Sequence, residues 1–216
     1  MRARSASLAL SALVAATVGC ADSQGTGPGK NQAAASFIPV YLADFSSGIA
    51  GPEWSHPLTT TAPLGERFLG EFCNDSVTLS LTGLAPHDSV SVALDFYIIR
   101  SWDGVGPNWA GPDEVTIKTD GTRRGVSTFS NIAGKSQHFP DATVSGHTHA
   151  AQTGATGVNT LGYTYWDGVP LDATYHYAFK IPHTAGTLSV DFIAKGLQDI
   201  NDESWGLDNI VIAIGS

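Results

Sequence analysis

Tryptophan stands beside an acidic turn at three places in this sequence. The three segments are residues 101–104 (SWDG), 165–168 (YWDG) and 203–209 (ESWGLDN). Asp-Gly favours a tight turn, because glycine adopts positive φ and the Asp side chain accepts hydrogen bonds from backbone N–H groups. An indole on such a loop can stack on a sugar ring while carboxylates and amides bind the hydroxyl groups. Trp102, Trp109 and Trp166 are therefore predicted to bind carbohydrate, the alternative being that each indole covers the open end of a core.

Acidic side chains on several predicted loops could bind a metal ion through oxygen alone. Asp208 has the same parity as the isoleucines of the following strand, which predicts that it points inward at the rim of the core. An unpaired buried carboxylate is costly, and no Lys or Arg lies nearby in sequence. Calcium accepts about six to eight oxygen ligands in flexible geometry. We predict one structural calcium ion held by Glu53 and Asp208, with Asp44 and Asn209 as further ligands, the alternative being that these side chains cap turns.

The sequence contains little that indicates catalysis. His147 and His149 would share one face of a strand, as zinc ligands do, but they lie in a Gly-, Thr- and Ala-rich loop, which favours a solvated pair. Neither a Gly-x-Ser-x-Gly elbow nor an HExxH motif is present. Paired carboxylates of the glycosidase type need no proximity in sequence. We therefore expect a binding or structural protein rather than an enzyme, with a polysaccharide-active hydrolase or a purely adhesive surface protein as the alternatives.

Cys20 follows a sequence that is typical of protein export. Arg2 and Arg4 precede a run of small and apolar residues, 5–18, and Gly19 stands directly before the cysteine. The run is shorter than the roughly 20 residues that span a bilayer, which indicates a signal peptide. The Gly-Cys junction resembles the lipobox of bacterial lipoproteins, which implies that Cys20 is diacylated; the alternative is an ordinary secretory signal cleaved nearby. The protein is expected outside the cytoplasm, at an outer membrane or cell surface, or secreted.

These features divide the chain into three parts. Residues 1–19 are the predicted signal peptide, and residues 20–36 are the lipidated cysteine with a polar, Gly-rich tether. A flexible tether of this length reaches roughly 20–25 Å, which would hold a domain clear of a membrane. Residues 37–216 are long enough for one sizeable β-sandwich domain.

The charge of the chain excludes two classes of partner. Without residues 1–19, nine Lys and Arg stand against twenty Asp and Glu, a formal charge of −11. An acidic surface repels phosphate backbones and anionic headgroups, so we expect no nucleic-acid binding and a membrane contact through the lipid anchor alone. Cys73 is the other cysteine in the sequence, so once Cys20 is acylated no internal disulfide can form.

Apolar and polar residues alternate along most of the chain after Phe37. The alternating segments are 77–82, 90–99, 175–181, 188–194 and 210–214, with shorter ones at 115–119 and 126–130. Alternation predicts strands with one buried face. At least seven such strands, with no helical period, predict an all-β fold, an antiparallel two-sheet β-sandwich of the jelly-roll type. Residues 102–113 and 131–169 lack a strand pattern and are predicted to be binding loops.

The order of four short motifs resembles a family of bacterial secreted and surface-anchored β-sandwich domains. The motifs are GPEWS at 51–55, SWDG at 101–104, GPD at 111–113 and DESWGLDN at 202–209. The last is also similar to the C-terminal motif of galactose-binding-like and carbohydrate-binding-module jelly rolls, whose structural calcium is held by residues of the first and last strands. The resemblance implies that Glu53 and Asp208 are the calcium ligands of a ligand-binding domain.

Overall fold

The computed structural model describes residues 36–106 and 111–216. Within them, every regular element except one short 3₁₀ turn, Thr143–Ser145, is a strand. The strands are β1 (Phe37–Ala43), β2 (Thr59–Thr61), β3 (Arg67–Phe72), β4 (Ser76–Thr82), β5 (Ser89–Arg100), β6 (Glu114–Thr119), β7 (Thr122–Thr128), β8 (Ser136–Gln137), β9 (His149–Ala150), β10 (Gly157–Val158), β11 (Asp172–Pro182), β12 (Thr187–Lys195) and β13 (Glu203–Gly215). In this part of the chain, no helix has the length and apolar character needed to cross a bilayer.

Two antiparallel sheets form the sandwich. The larger sheet has the order β10-β11-β5-β13-β3-β2, and the smaller has the order β4-β12-β6-β7. Strand β13 is central to the larger sheet. It pairs with β5 along one edge, and along the other it pairs first with β3 and then with β1. The predicted antiparallel two-sheet jelly-roll sandwich is confirmed.

The core between the sheets is built from the alternating residues of the sequence. Val92, Leu94 and Phe96 of β5 are fully buried, as is Phe192 on the opposing sheet. Trp205 stacks on Phe96 with ring centroids 5.2 Å apart and planes 7° from parallel. Burial of each large apolar side chain contributes roughly 1.5–3 kcal/mol, so these residues supply most of the stabilisation.

A second apolar cluster covers the outer face of the larger sheet. Its members are Ala62, Phe68, Tyr97, Ile99, Leu161 and Tyr163. The buried carboxylate of Asp172 accepts backbone hydrogen bonds at 2.8–3.1 Å from all four residues of the segment 160–163. These bonds replace the water that the carboxylate loses on burial and hold the covering segment in one conformation. The predicted loop 131–169 is therefore partly structured, since it contains β8, β9, β10 and the 3₁₀ turn.

Candidate functional site

Trp166 lies at the tip of a short hairpin that continues from this covering segment, and its side chain is 87% exposed. The Tyr165 amide donates to the Val169 carbonyl at 2.8 Å, and the Gly168 amide donates to the Tyr165 carbonyl at 2.9 Å. The Asp167 carboxylate accepts from the Val169 amide at 3.0 Å, and Gly168 has a φ of 82°. The turn expected from Asp-Gly is thus present, and it holds the indole in solvent.

The two rings of the hairpin border a cavity of about 290 Å³. The other lining residues are Asp199, Asn201 and Asp202, from the loop between β12 and β13. The centroids of the Tyr165 and Trp166 rings are 4.7 Å apart, with the planes at 54°. We call these five residues the Trp166 site. Apolar ring faces beside carboxylate and amide oxygens can bind a molecule that has both C–H faces and hydroxyl groups.

The acidic side of the Trp166 site is fixed by hydrogen bonds. The Asn74 side chain donates to the Leu197 carbonyl at 2.6 Å and accepts from the Leu197 amide at 3.0 Å, which anchors the start of the loop. The Asp199 carboxylate accepts from the backbone and side-chain amides of Asn201 at 2.9 and 3.0 Å. The oxygens of this loop are therefore held in place before any ligand binds.

Tyr165 connects the hairpin to the acidic loop. Partial burial raises the pKa of its phenol, and the nearby charge of Asp202 raises it further, so the hydroxyl keeps its proton at neutral pH. The Ser101 hydroxyl donates to the Asp202 carbonyl at 2.9 Å and also contacts its carboxylate. The phenol remains a hydrogen-bond donor at the edge of the cavity.

Of the other two tryptophans predicted to bind carbohydrate, one is buried and the other lies outside the described residues. Trp102 is fully buried: its indole N–H donates to the Ser204 carbonyl at 2.8 Å, and its ring packs edge-on against Phe129. The prediction that Trp102 contacts a ligand is therefore wrong, because the indole is part of the core. Trp109 lies outside the described residues, as does the predicted lipidation residue Cys20.

The structure does not bring the four predicted calcium ligands together, since Asp208 does not line the cavity that the other three share. Asn209 has a φ of 51° at a bulge where the register between β13 and β5 shifts, and this bulge inverts the parity of the preceding residues. Asp208 consequently lies opposite Asp95 on the outer face and accepts a hydrogen bond from the Tyr97 hydroxyl at 2.9 Å. The prediction that it shares the inward face of Ile210 is wrong. Burial raises the pKa of Asp208 to about 6.

The remaining three predicted ligands, Asp44, Glu53 and Asn209, line one cavity of about 430 Å³ beside the end of β1. Glu53 accepts from the Tyr41 hydroxyl at 2.8 Å, and Asp44 accepts from the Ser46 amide at 3.1 Å. Within residues 36–106 and 111–216, no three His, Cys, Asp or Glu side chains are grouped so that they could hold a metal ion. Calcium binding by Glu53, Asp44 and Asn209 stays a prediction, without Asp208.

The histidine pair lies on the surface against an aspartate. His147 Nδ1 and His149 Nε2 are 3.3 and 3.1 Å from the same Asp141 oxygen. These contacts, with His149 the larger contributor, lower the pKa of Asp141. The pair makes partly exposed contacts with Asp141, of a kind that contributes little to stability.

Sequence patterns missed most of the Trp166 site. Tyr165 adjoins Trp166, and Asp199, Asn201 and Asp202 directly precede the conspicuous ESWGLDN motif. Three polar residues within four positions, after the last alternating residue of a strand, were an available signal of an exposed polar loop. Nothing in the sequence indicated that this loop meets the hairpin of Trp166, because that contact depends on the arrangement of the strands.

No protein-family model matches the chain, and no curated protein matches it in sequence. Similar solved structures include dimeric latent PorU from Porphyromonas gingivalis, at 13% identity and a TM-score of 0.44, over 90% of this chain and 14% of that one. The carbohydrate-binding module CBM6cm-2 of Cellvibrio mixtus lichenase 5A, in complex with cellotriose, matches at 13% identity and 0.35, over 81% and 97% of the chains. A carbohydrate-binding module specific for non-crystalline cellulose, CBM28, matches at 15% identity and 0.37, over 80% and 93%. The chain spans about a seventh of the length of PorU, and likeness at these scores assigns it neither a ligand nor an activity.

Proposed function

We propose that this domain binds carbohydrate at the Trp166 site. The observation that carries the proposal is an indole that is 87% exposed at the tip of an ordered turn, beside a cavity lined by carboxylate and amide oxygens. Two adjacent aromatic rings, one of them largely in water, form the kind of exposed apolar surface that is typical of a contact site. A sugar offers it a flat C–H face, and the hydroxyl groups of the same sugar are donors for Asp199 and Asp202.

The charge of the site favours a neutral glycan. Asp199 and Asp202 line the cavity, and the whole chain has a formal charge of −9. Two carboxylates repel uronic acids and sulfated sugars, whereas they accept hydrogen bonds from uncharged hydroxyl groups. We therefore expect hexose or pentose polymers without acidic substituents to be the ligands.

The expected affinity of one site is low. Covering one face of the Trp166 indole removes roughly 100 Å² of apolar surface from water, which contributes on the order of 2 kcal/mol. Each hydroxyl bound by a carboxylate adds about 1–2 kcal/mol net. Binding between micromolar and millimolar follows once the entropy of association is subtracted. Many tethered copies facing one polysaccharide would raise the effective affinity.

The proposal includes a location outside the cytoplasm. Acylation of Cys20, followed by the polar tether of residues 21–36, would leave the domain attached to a membrane yet able to reach a glycan. A membrane-anchored protein of weak affinity gains from this arrangement, since all copies face the same surface.

A glycan-array screen of the purified protein, followed by calorimetry on the best neutral oligosaccharide, tests the proposal. Trp166→Ala should weaken binding by about tenfold or more, a loss of about 1.4 kcal/mol. The melting temperature should stay nearly constant, because the indole contacts little of the core. Val144→Ala removes another exposed apolar side chain, which is 88% exposed and does not line the Trp166 site, and should leave binding unchanged.

Two results would contradict the binding proposal. One is that no glycan binds, which would favour an adhesive or structural role. The other is that Trp166→Ala binds the same glycan as tightly as the parent protein does. Release of new reducing ends from the bound polysaccharide, abolished by Asp199→Asn or Asp202→Asn, would instead favour the hydrolase alternative.

A further inference from the structure

Two fully buried carboxylates, Asp113 and Glu203, come from opposite sheets at one end of the sandwich. Asp113 stands two residues before the buried Val115 of β6, and Glu203 stands two residues before the buried Trp205 of β13. Because side chains two apart on a strand share a face, both carboxylates have the inward parity. The segment 101–104 connects the two carboxylates. The Trp102 indole donates to the carbonyl of Ser204, the residue after Glu203, and the Gly104 amide donates to Asp113 at 3.2 Å.

Neutral groups alone bind this carboxylate pair. Asp113 Oδ2 accepts from the amides of Asp103 and Gly104, while Asp113 Oδ1 has no hydrogen-bond partner. Glu203 accepts from the backbone amide of Gln198 at 2.9 Å. In residues 36–106 and 111–216, no Lys, Arg or His side chain forms a salt bridge with either carboxylate. The Lys135 ammonium pairs with the neighbouring Asp103 rather than with Asp113, so neither buried negative charge has a directly paired cation, which is costly.

Asn131, which contacts the same segment 101–104 through the Trp102 carbonyl, supplies a second unpartnered oxygen. The residue is 4% exposed, and its side-chain NH₂ donates to the carbonyls of Ile98 and Arg100 at 3.1 and 2.8 Å. Its amide oxygen, Oδ1, has no hydrogen-bond partner. Arg100 is the residue that Glu203 faces across the β5–β13 ladder, and the Asn131 backbone amide donates to the Trp102 carbonyl. A buried amide oxygen normally accepts a hydrogen bond. The unpartnered Oδ1 of Asn131 therefore points to a missing ligand independently of the two carboxylates.

We propose that Asp113, Glu203 and Asn131 bind one calcium ion that joins the two sheets. The ion would balance both carboxylate charges and satisfy the two unpartnered oxygens. All three groups are oxygen donors, which favours a hard cation over zinc. Calcium fits better than magnesium, because it tolerates irregular geometry and gives up its water more readily than magnesium does. The site would be structural, since both acids are fully buried and out of reach of a large ligand.

A chelator-treated sample of the whole mature protein, titrated with calcium at constant pH, tests this site. Calorimetry should find one calcium ion per chain whose binding depends on Asp113 and Glu203, and saturating calcium should raise the melting temperature by about 5 °C or more. Asp113→Asn and Glu203→Gln should each weaken calcium binding by about 30-fold or more. Asp208→Asn is the matched control: Asp208 is also a buried acid with an unpartnered oxygen, but it lies on the outer face. It should leave the calcium response unchanged.

Three results would overturn the proposal. The first is that the parent protein fails to bind calcium and keeps its melting temperature, which would mean that the carboxylates are protonated instead. The second is that the two variants bind calcium as the parent protein does. The third is that Asp208→Asn abolishes the response, which would place the ion on the outer face.

A second measurement covers variants that do not fold. Terbium bound by the parent protein should luminesce on tryptophan excitation, because Trp102 and Trp205 lie beside the proposed ligands. Calcium should displace it, while Glu53→Gln, at the other predicted ligand cluster, should leave the signal intact. Loss of the terbium signal in Glu53→Gln, or no signal in the parent protein, would also overturn the proposal.

Discussion

Replacing Asp208 by asparagine should stabilise the protein at neutral pH but not in acid. The Asp208 side chain is 1% exposed, accepts a hydrogen bond from Tyr97, and has one oxygen without a partner. Burial is the main cause that raises its pKa from the ordinary value of 3.8 to about 6. Asparagine has nearly the same shape, can accept the same hydrogen bond through its amide oxygen, and carries no charge at any pH.

The sign and size of the effect follow from these two pKa values. Between pH 3.8 and about 6 the folded protein keeps a proton that the unfolded chain has released, so the contribution of Asp208 to stability falls as the pH rises. Above pH 6 the carboxylate is ionised in both states and the penalty is complete, at about 3 kcal/mol. Asparagine leaves part of its NH₂ unsatisfied, at a cost of about 1–2 kcal/mol that does not depend on pH. The difference between variant and parent should therefore change by about 2–3 kcal/mol from pH 4 to pH 7.5.

Urea unfolding at a series of pH values, followed by tryptophan fluorescence, measures this difference. Asp88→Asn is the control, because Asp88 is exposed and its substitution should change stability only slightly. Parallel pH profiles for Asp208→Asn and the parent protein would refute the argument. The argument would also be refuted if the stability of Asp208→Asn relative to the parent protein increased as the pH falls, because a carboxylate with a lowered pKa would give that result.

Two further substitutions test the core and the anchor. Trp205→Ala removes a fully buried indole that stacks on Phe96 and donates to the Cys73 carbonyl. The free energy of unfolding in urea should therefore fall by about 3–5 kcal/mol. A fall below about 1 kcal/mol would contradict the place of Trp205 in the core. Cys20→Ala should move the protein from the membrane fraction to the soluble fraction, and intact mass of the parent protein should show a diacyl group on Cys20. A mature chain that begins elsewhere would contradict the anchor.

Alternation in the sequence identified most of the long strands and missed β3 and the first half of β13, which are buried on both faces. Phe68 and Leu69 are consecutive in β3 and both fully buried. Leu69 belongs to the core between the sheets, and Phe68 belongs to the apolar cluster on the outer face of the larger sheet. Such a strand shows no polar–apolar period, because neither face meets water. For the same reason β13 was predicted from residue 210, although it begins at Glu203: residues 203–208 are buried on both faces.

The candidate sites depended on contacts that local sequence does not contain. Trp102 and Trp166 occur in nearly identical turns, SWDG and YWDG, yet one indole is fully buried and the other is exposed. Trp102 lies two residues after the end of β5 and packs on Phe129, whereas Trp166 lies at the tip of a hairpin outside the two sheets. The inverted parity of Asp208 could not be predicted from local sequence either. The bulge places Asn209 in the left-handed region, which Asn adopts more readily than most residues, but an Asn in the sequence does not by itself indicate a bulge.

The central place of β13 has a consequence for how the chain is made. Residues 203–215 supply partners for β5, β3 and β1, all of which leave the ribosome earlier. Those contacts join positions far apart in sequence, so the larger sheet cannot close until β13 has been synthesised. The larger sheet of an unfinished chain is therefore incomplete, and an incompletely folded chain is the form that the predicted export from the cytoplasm would require.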